Sequence, residues 1–204
     1  MKNILCFGDS NTYGLRPDQC SRYEWEVRYP GVLQKLLGED YHVIEEGCSG
    51  RTTIFHDPTR EGKRGIDYIA PCVQSHLPLD WVIIMLGTND CKTVFKATAH
   101  DIAEGLRRIV ASVKKEAGES QKIMIVSPII LGDEIEKFDL DFIASRRDVS
   151  LALAHEYQKL AEEEGCVFFD AASAASSSDE DREHMTPEGH TALAKSFADK
   201  IMKI

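Results

Sequence analysis

The sequence predicts an α/β fold, a three-layer sandwich with helices on both faces of a five-stranded parallel sheet. Three observations lead there. Five short apolar runs, β-branched or aromatic, alternate with longer amphipathic stretches, so a β-α unit repeats about five times. The third run, "WVIIML", is apolar on both faces, as a central strand covered on each side requires. Apolar residues are 43% and charged residues 28% of the 204, which suits one domain over 1–204 with a sizeable core.

The strands are predicted at Asn3–Phe7, Tyr41–Glu45, Trp81–Leu86, Ile123–Val126 and Cys166–Phe169, all too short for helices. A helix is predicted to start at Pro30 and stop near Gly38, and another to cover roughly 65–76. Ile102, Leu106, Ile109, Val110 and Val113 recur at spacings of three and four, which makes 98–117 an amphipathic helix. Val149, Leu153, Tyr157 and Leu160 repeat the pattern, with Gly165 as the stop. Thr186-Pro187 is an N-cap followed by proline at the first helical position and opens the last helix. Segments 15–29 and 127–145 are long for plain connections and are expected over the site or at an interface. "AASAASSSDED" (171–181) reads as a surface loop.

The net charge of −10 argues against a nucleic-acid or anionic-membrane partner. No apolar stretch approaches the ~20 residues of a membrane span, and no signal peptide is read at the start. The six cysteines include no C-x-x-C pair, so reduced thiols in a cytoplasmic protein are expected. Cys48 is read as a packed residue.

In an open parallel sheet, ligands bind beyond the carboxyl ends of the strands. Gly8-Asp9-Ser10-Asn11 follows the first strand, Gly47-Cys48-Ser49-Gly50-Arg51 the second, and Gly87-Thr88-Asn89-Asp90 the third. "DREHMTPEGH" (181–190) lies beyond the fifth. A serine, two glycine turns, an asparagine and Asp-x-x-His are the inventory of acyl transfer: nucleophile, base, orienting acid and oxyanion donors. Taken alone, Ser10 is a helix N-cap, Asn89 a turn residue and Gly50 a positive-φ position. Asp181 and His184 are three apart and neighbours on one helical or 3₁₀ turn, so the carboxylate takes one imidazole N–H and leaves the other nitrogen for the Ser10 proton. His190 is the rival base and Asp179 the rival acid.

"GDSNTYG", "GCSGRTT", "GTND" and "DREHMTP", in that order over essentially the whole chain, resemble the SGNH hydrolases, also called the GDSL esterases and lipases. "EEGCSGRTT" and "RYPGVL" look closest to the bacterial arylesterase and acyltransferase branch. The resemblance implies a flavodoxin-like sheet of order 2-1-3-4-5. It implies Ser10 as nucleophile, Asp181 and His184 as acid and base, and an oxyanion hole from the Ser10 N–H, the Gly50 N–H and the Asn89 amide. No G-x-S-x-G elbow is present. Two positions depart from the family pattern: Arg182 stands where glycine is frequent, and Glu45-Glu46 where an asparagine is usual.

The expected activity is that of a serine esterase that hydrolyses or transfers short acyl groups, with no cofactor and no metal. Carbohydrate O-deacetylase, thioesterase and lysophospholipase are alternatives inside the family. A metal-dependent phosphoesterase on Asp9, Asp90, Asp181 and His184, or a binding module with a decayed site, are the readings outside it. Arg16, Trp25 and Arg51 are candidate substrate contacts. The expected partner is a small-molecule ester, with a homo-oligomer possible. Protonation of the histidine is expected to lower activity below about pH 6.5.

Overall fold

A computed structural model describes residues 1–203. Five parallel strands, β1 (Lys2–Gly8), β2 (Tyr41–Gly47), β3 (Trp81–Met85), β4 (Lys122–Ser127) and β5 (Val167–Asp170), pair in the order β2-β1-β3-β4-β5. β3 is the middle strand and every residue in it is buried. Its continuous run of apolar side chains is therefore explained: alternate residues face two different helical layers.

Among the described residues six helices connect and cover the sheet: α1 (Ser10–Tyr13), α2 (Tyr29–Leu37), α3 (Gly65–His76), α4 (Ala99–Ala117), α5 (Arg146–Glu164) and α6 (Pro187–Met202). Leu5, Phe7, Val82 and Ile84 turn toward α3, α4 and α5. Ile4, Cys6, Ile83 and Met85 turn toward α2 and α6. The period-two alternation of β1 and β3 thus builds two cores from one sheet. α4 buries the stripe Ile102, Leu106, Ile109, Val110 and Val113 and opens on a reciprocal Thr98–Asp101 capping box. Such a cap is worth about 1 kcal/mol.

The predicted strands and long helices lie within three residues of the observed ones. The short α1 and four single-turn 3₁₀ segments carry too little periodicity to be read from sequence. Segment 171–181 is not a plain surface loop: Ala171, Ser178 and Asp181 are buried. No helix among the described residues is long and apolar enough to cross a membrane.

Candidate active site

The first turn is sterically determined. β1 ends at Gly8, where a Cβ would lie 1.9 Å from Thr12 Oγ1 and 2.8 Å from the Met85 carbonyl. Only glycine lets the chain pass β3 so closely. Asp9 then caps α1, its Oδ1 accepting from Asn11 N at 3.0 Å. Burial pushes the Asp9 carboxyl up to about 7. Ser10 begins the helix and is 3% exposed.

His184 Nε2 lies 2.9 Å from Ser10 Oγ, and His184 Nδ1 lies 2.5 Å from Asp181 Oδ2. Asp181 Oδ1 accepts from the backbone N–H of Glu183 and of His184, at 3.0 and 2.9 Å. Burial opposes ionisation of Asp181, but the bonds from His184 and these amides outweigh it and hold the carboxyl below its usual range. Burial likewise disfavours the imidazolium. The Asp181 bond and the Glu183, Asp181 and Asp9 carboxylates outweigh that penalty, and the His184 pKa is raised.

Asp181 and His184 do not share a helical turn, as the spacing suggested. They span an irregular turn in which Arg182 adopts φ +64°, the left-handed region that favours glycine. The glycine-type turn is kept although arginine occupies it.

The oxyanion candidates converge from two other strand ends. Gly50 is buried with φ +80°, and Asn89 opens a 3₁₀ turn just beyond β3. Asn89 Nδ2 is buried without a hydrogen-bond partner among the described residues. An unpaired buried amide donor is costly and calls for an acceptor that arrives later. Asp90 Oδ1 accepts from Thr53 N and Thr53 Oγ1, at 2.8 and 2.5 Å, and so ties the Asn89 turn to the segment that carries Gly50. Burial raises the Asp90 carboxyl to about 6.

A cleft of about 280 Å³ opens over these groups, touching Ser10, Gly50, Asn89 and His184. Its walls include Gln19, Arg60, Lys63, Lys92 and Asp139, with Leu15 the one aliphatic side chain. None of the predicted substrate contacts lines it. Arg51 is buried beneath, donating through Nη1 to the carbonyls of Gly8 and Glu46, its guanidinium carbon 4.1 Å from the Phe7 ring centre. Arg16 lies against Tyr23 and Trp25 against Arg28. Long side chains find such local partners first, and spacing from a motif does not tell which way they turn.

Asn11 is a positioning residue that the sequence reading missed. Its Oδ1 accepts from Met185 N at 3.0 Å and its Nδ2 donates to the Glu183 carbonyl at 3.3 Å, clamping the His184 turn beside Ser10. The sign available was an asparagine next to the serine. Lys63 was missed too; its Nζ lies 3.4 Å from Cys48 Sγ, so that thiol has a polar neighbour.

The rivals are placed elsewhere. His190 is fully buried, accepts from Tyr29 N through Nδ1 at 3.3 Å, and burial lowers its pKa to about 4. Asp179 is exposed and paired with Arg182. Among the described residues Asp9, Asp90, Asp181 and His184 do not gather as one cation-holding group, and Asp9, Asp90 and Asp181 each give an oxygen to a different partner. Glu45 takes Arg28 Nε at 2.7 Å and also pairs with Arg22, so it holds the 15–28 loop to β2.

A hydrogen-bonded Ser–His–Asp chain over an open α/β sheet, with the unpaired Asn89 amide beside it, has the make-up of an acyl-transfer hydrolase. Residues 6–192 match the GDSL-like lipase/acylhydrolase family, and the chain belongs to that family. It is a carboxylic ester hydrolase of GDSL type. The aryl esterase of M. smegmatis is similar over 100% of this chain and 99% of its own, at 39% identity and a TM-score of 0.92. Est24, a carbohydrate acetylesterase from Sinorhizobium meliloti, is similar over the same shares, at 34% identity and a TM-score of 0.92. An acetylxylan esterase of Xylanibacter ruminicola is 27% identical over 121 residues, 58% of this chain. The chain spans about a quarter of the length of that relative, the match covering 23% of it.

Proposed function

We propose that the chain hydrolyses or transfers short acyl groups of carboxylic esters through an acyl-enzyme on Ser10. The observation that carries this reading is the unbroken chain Ser10 Oγ–His184–Asp181, at 2.9 and 2.5 Å. His184 Nε2 takes the Ser10 hydroxyl proton as Oγ attacks the ester carbonyl carbon. The carbonyl oxygen becomes an oxyanion facing the Ser10 N–H, the Gly50 N–H and Asn89 Nδ2. Collapse breaks the bond to the alcohol oxygen, which takes its proton from His184. Water, or a second alcohol, then gives a proton to His184 and attacks the acyl-enzyme. The acyl group leaves as an acid or a new ester, and Ser10 regains its proton. Asp181 holds the imidazole tautomer and supports its positive charge.

The cleft favours a short acyl group on a polar alcohol. Its volume of about 280 Å³ and its single aliphatic wall residue, Leu15, suit acetyl better than a lipid chain. That polar lining also favours a second reading, a carbohydrate O-acetyl ester, which agrees with the named activities of two relatives. Gln19, Arg60 and Lys63 replace Arg16, Trp25 and Arg51 as the proposed substrate contacts. The six unbridged cysteines support a reducing, cytoplasmic setting. A homo-oligomer is part of the reading; exposed Phe138, Leu140 and Ile143 supply an apolar surface for it.

A fluorophosphonate probe tests the nucleophile. Labelling is expected on Ser10 and is expected to vanish, together with p-nitrophenyl acetate turnover, in Ser10→Ala. Labelling at another residue would sink the assignment. A series of aryl and sugar esters with growing acyl chains separates the two substrate readings.

A further inference from the structure

On the far side of the oxyanion segment, three ligand-type side chains meet outside the cleft. Glu46 stands near the end of β2, and Cys72 and His76 stand one turn apart on the same side of α3. His76 Nε2 is 3.0 Å from Glu46 Oε1. The thiol sulfur, the imidazole nitrogen and the carboxylate oxygen all lie within 4.8 Å of one another. The esterase chemistry uses none of the three.

We propose that Glu46, Cys72 and His76 form a binding site for one borderline divalent cation of the zinc type. The donor set selects the class. Sulfur with imidazole suits zinc or cobalt, whereas calcium and magnesium want oxygen alone. Bonds of about 2.0–2.3 Å in a tetrahedron place ligand atoms about 3.3–3.8 Å apart, so small side-chain rotations close the observed spread. The fourth position goes to water, because Glu46 and His76 keep 22% and 28% of their side-chain surface exposed while Cys72 is buried.

The charges also close. Binding displaces the thiol proton to solvent, and M²⁺ with one thiolate, one carboxylate and a neutral imidazole sums to zero. Arg51, whose guanidinium is held by the Glu46 carbonyl, therefore gains no repulsive neighbour. The cation would link β2 to α3, the two elements between which the Gly50 segment runs. An ordinary His–Glu ion pair is the alternative, and it makes no use of the sulfur.

Cobalt(II) titration of the whole protein distinguishes them. One equivalent is expected to raise a thiolate-to-cobalt charge-transfer band in the near ultraviolet, and zinc is expected to displace it one for one. Cys72→Ser is expected to abolish the band, and His76→Ala to weaken zinc binding by ~10-fold or more. A missing band in the wild type, or one that persists in Cys72→Ser on another cysteine, overturns the site. Zinc-edge X-ray absorption on the wild type needs no variant to fold. One sulfur in the first shell is expected, and none, or more than one, overturns the proposal. Both measurements read the metal rather than turnover, so they stand apart from the esterase assignment.

Discussion

Asn89→Ala isolates one oxyanion donor. Asn89 is 2% exposed, and its Nδ2 gives a hydrogen bond to no protein group described. Removing that donor therefore deletes no bond of the resting fold. It also relieves an unpaired polar group, a state that costs about 1–3 kcal/mol when buried. That relief offsets the small void left by the side chain, so stability is expected to change by less than about 1 kcal/mol. The transition state is different, because there Nδ2 gains its acceptor. Loss of one such donor lowers kcat by ~100- to 1000-fold, about 2.7–4 kcal/mol. Steady-state kinetics on p-nitrophenyl acetate should show the loss in kcat with KM little moved, since the donor acts on charge that develops only during reaction. Asn89→Asp, which keeps the shape but offers an acceptor to an oxyanion, should be at least as poor. A wild-type kcat in Asn89→Ala would refute the reasoning. So would a loss of activity matched by a large fall in Tm, because the effect would then belong to the fold.

Three further outcomes follow from particular residues. The acid limb of kcat/KM should lie above the ordinary histidine value, because protonated His184 cannot accept the Ser10 proton and its pKa is raised. The Glu183 carboxylate is one cause of that rise, so Glu183→Gln should move the limb to lower pH; a limb that stays or rises excludes this role. Arg182→Gly removes a side chain from a left-handed position that costs roughly 1–2 kcal/mol for non-glycine residues. The lost pair with Asp179, 94% exposed, contributes little. Thermal unfolding should shift upward by a few degrees, about 1 kcal/mol once the greater freedom of unfolded glycine is included. A lower Tm would mean that the guanidinium's place over the Phe138 ring outweighs the strain.

The strands and long helices were legible because burial leaves a period. β3 had to be apolar throughout once helices covered both sides, and α4 carried its stripe and cap in plain letters. Ser10, Asn89, Gly50, Asp181 and His184 were legible as a set because strand ends in such a sheet share one edge, and the structure brings these five together. The cleft walls were not. The 56–64 and 133–145 segments meet through the tertiary ion pair of Arg60 with Asp141, at 3.2 Å, and Lys92, just past the Asn89 turn, pairs with the same Asp141 at 2.9 Å. No local pattern predicts such partners. Arg51 was misread for a related reason: its nearest acceptors are carbonyls beneath the sheet edge rather than a ligand above it.

The His184 turn shows where the sequence reading and the physical solution part. A single helical turn of Asp-x-x-His would leave its own first amides unpaired. In the observed turn the Glu183 and His184 amides are taken by Asp181 Oδ1, its ends by Ser178 and its flank by Asn11. The Ser178 N–H donates to the His184 carbonyl at 2.7 Å, and the Arg182 N–H to the Ser178 carbonyl at 2.9 Å. With so many bonds converging, the imidazole has one position, and a single residue can be held in an unfavourable conformation to complete the turn. That residue is Arg182, which contacts the cleft at no point described. The strain therefore sits one residue away from Asp181 and two from His184. It can be removed by substitution while Asp181 and His184 keep their side chains, which is why Arg182→Gly tests the architecture of the turn independently of its chemistry.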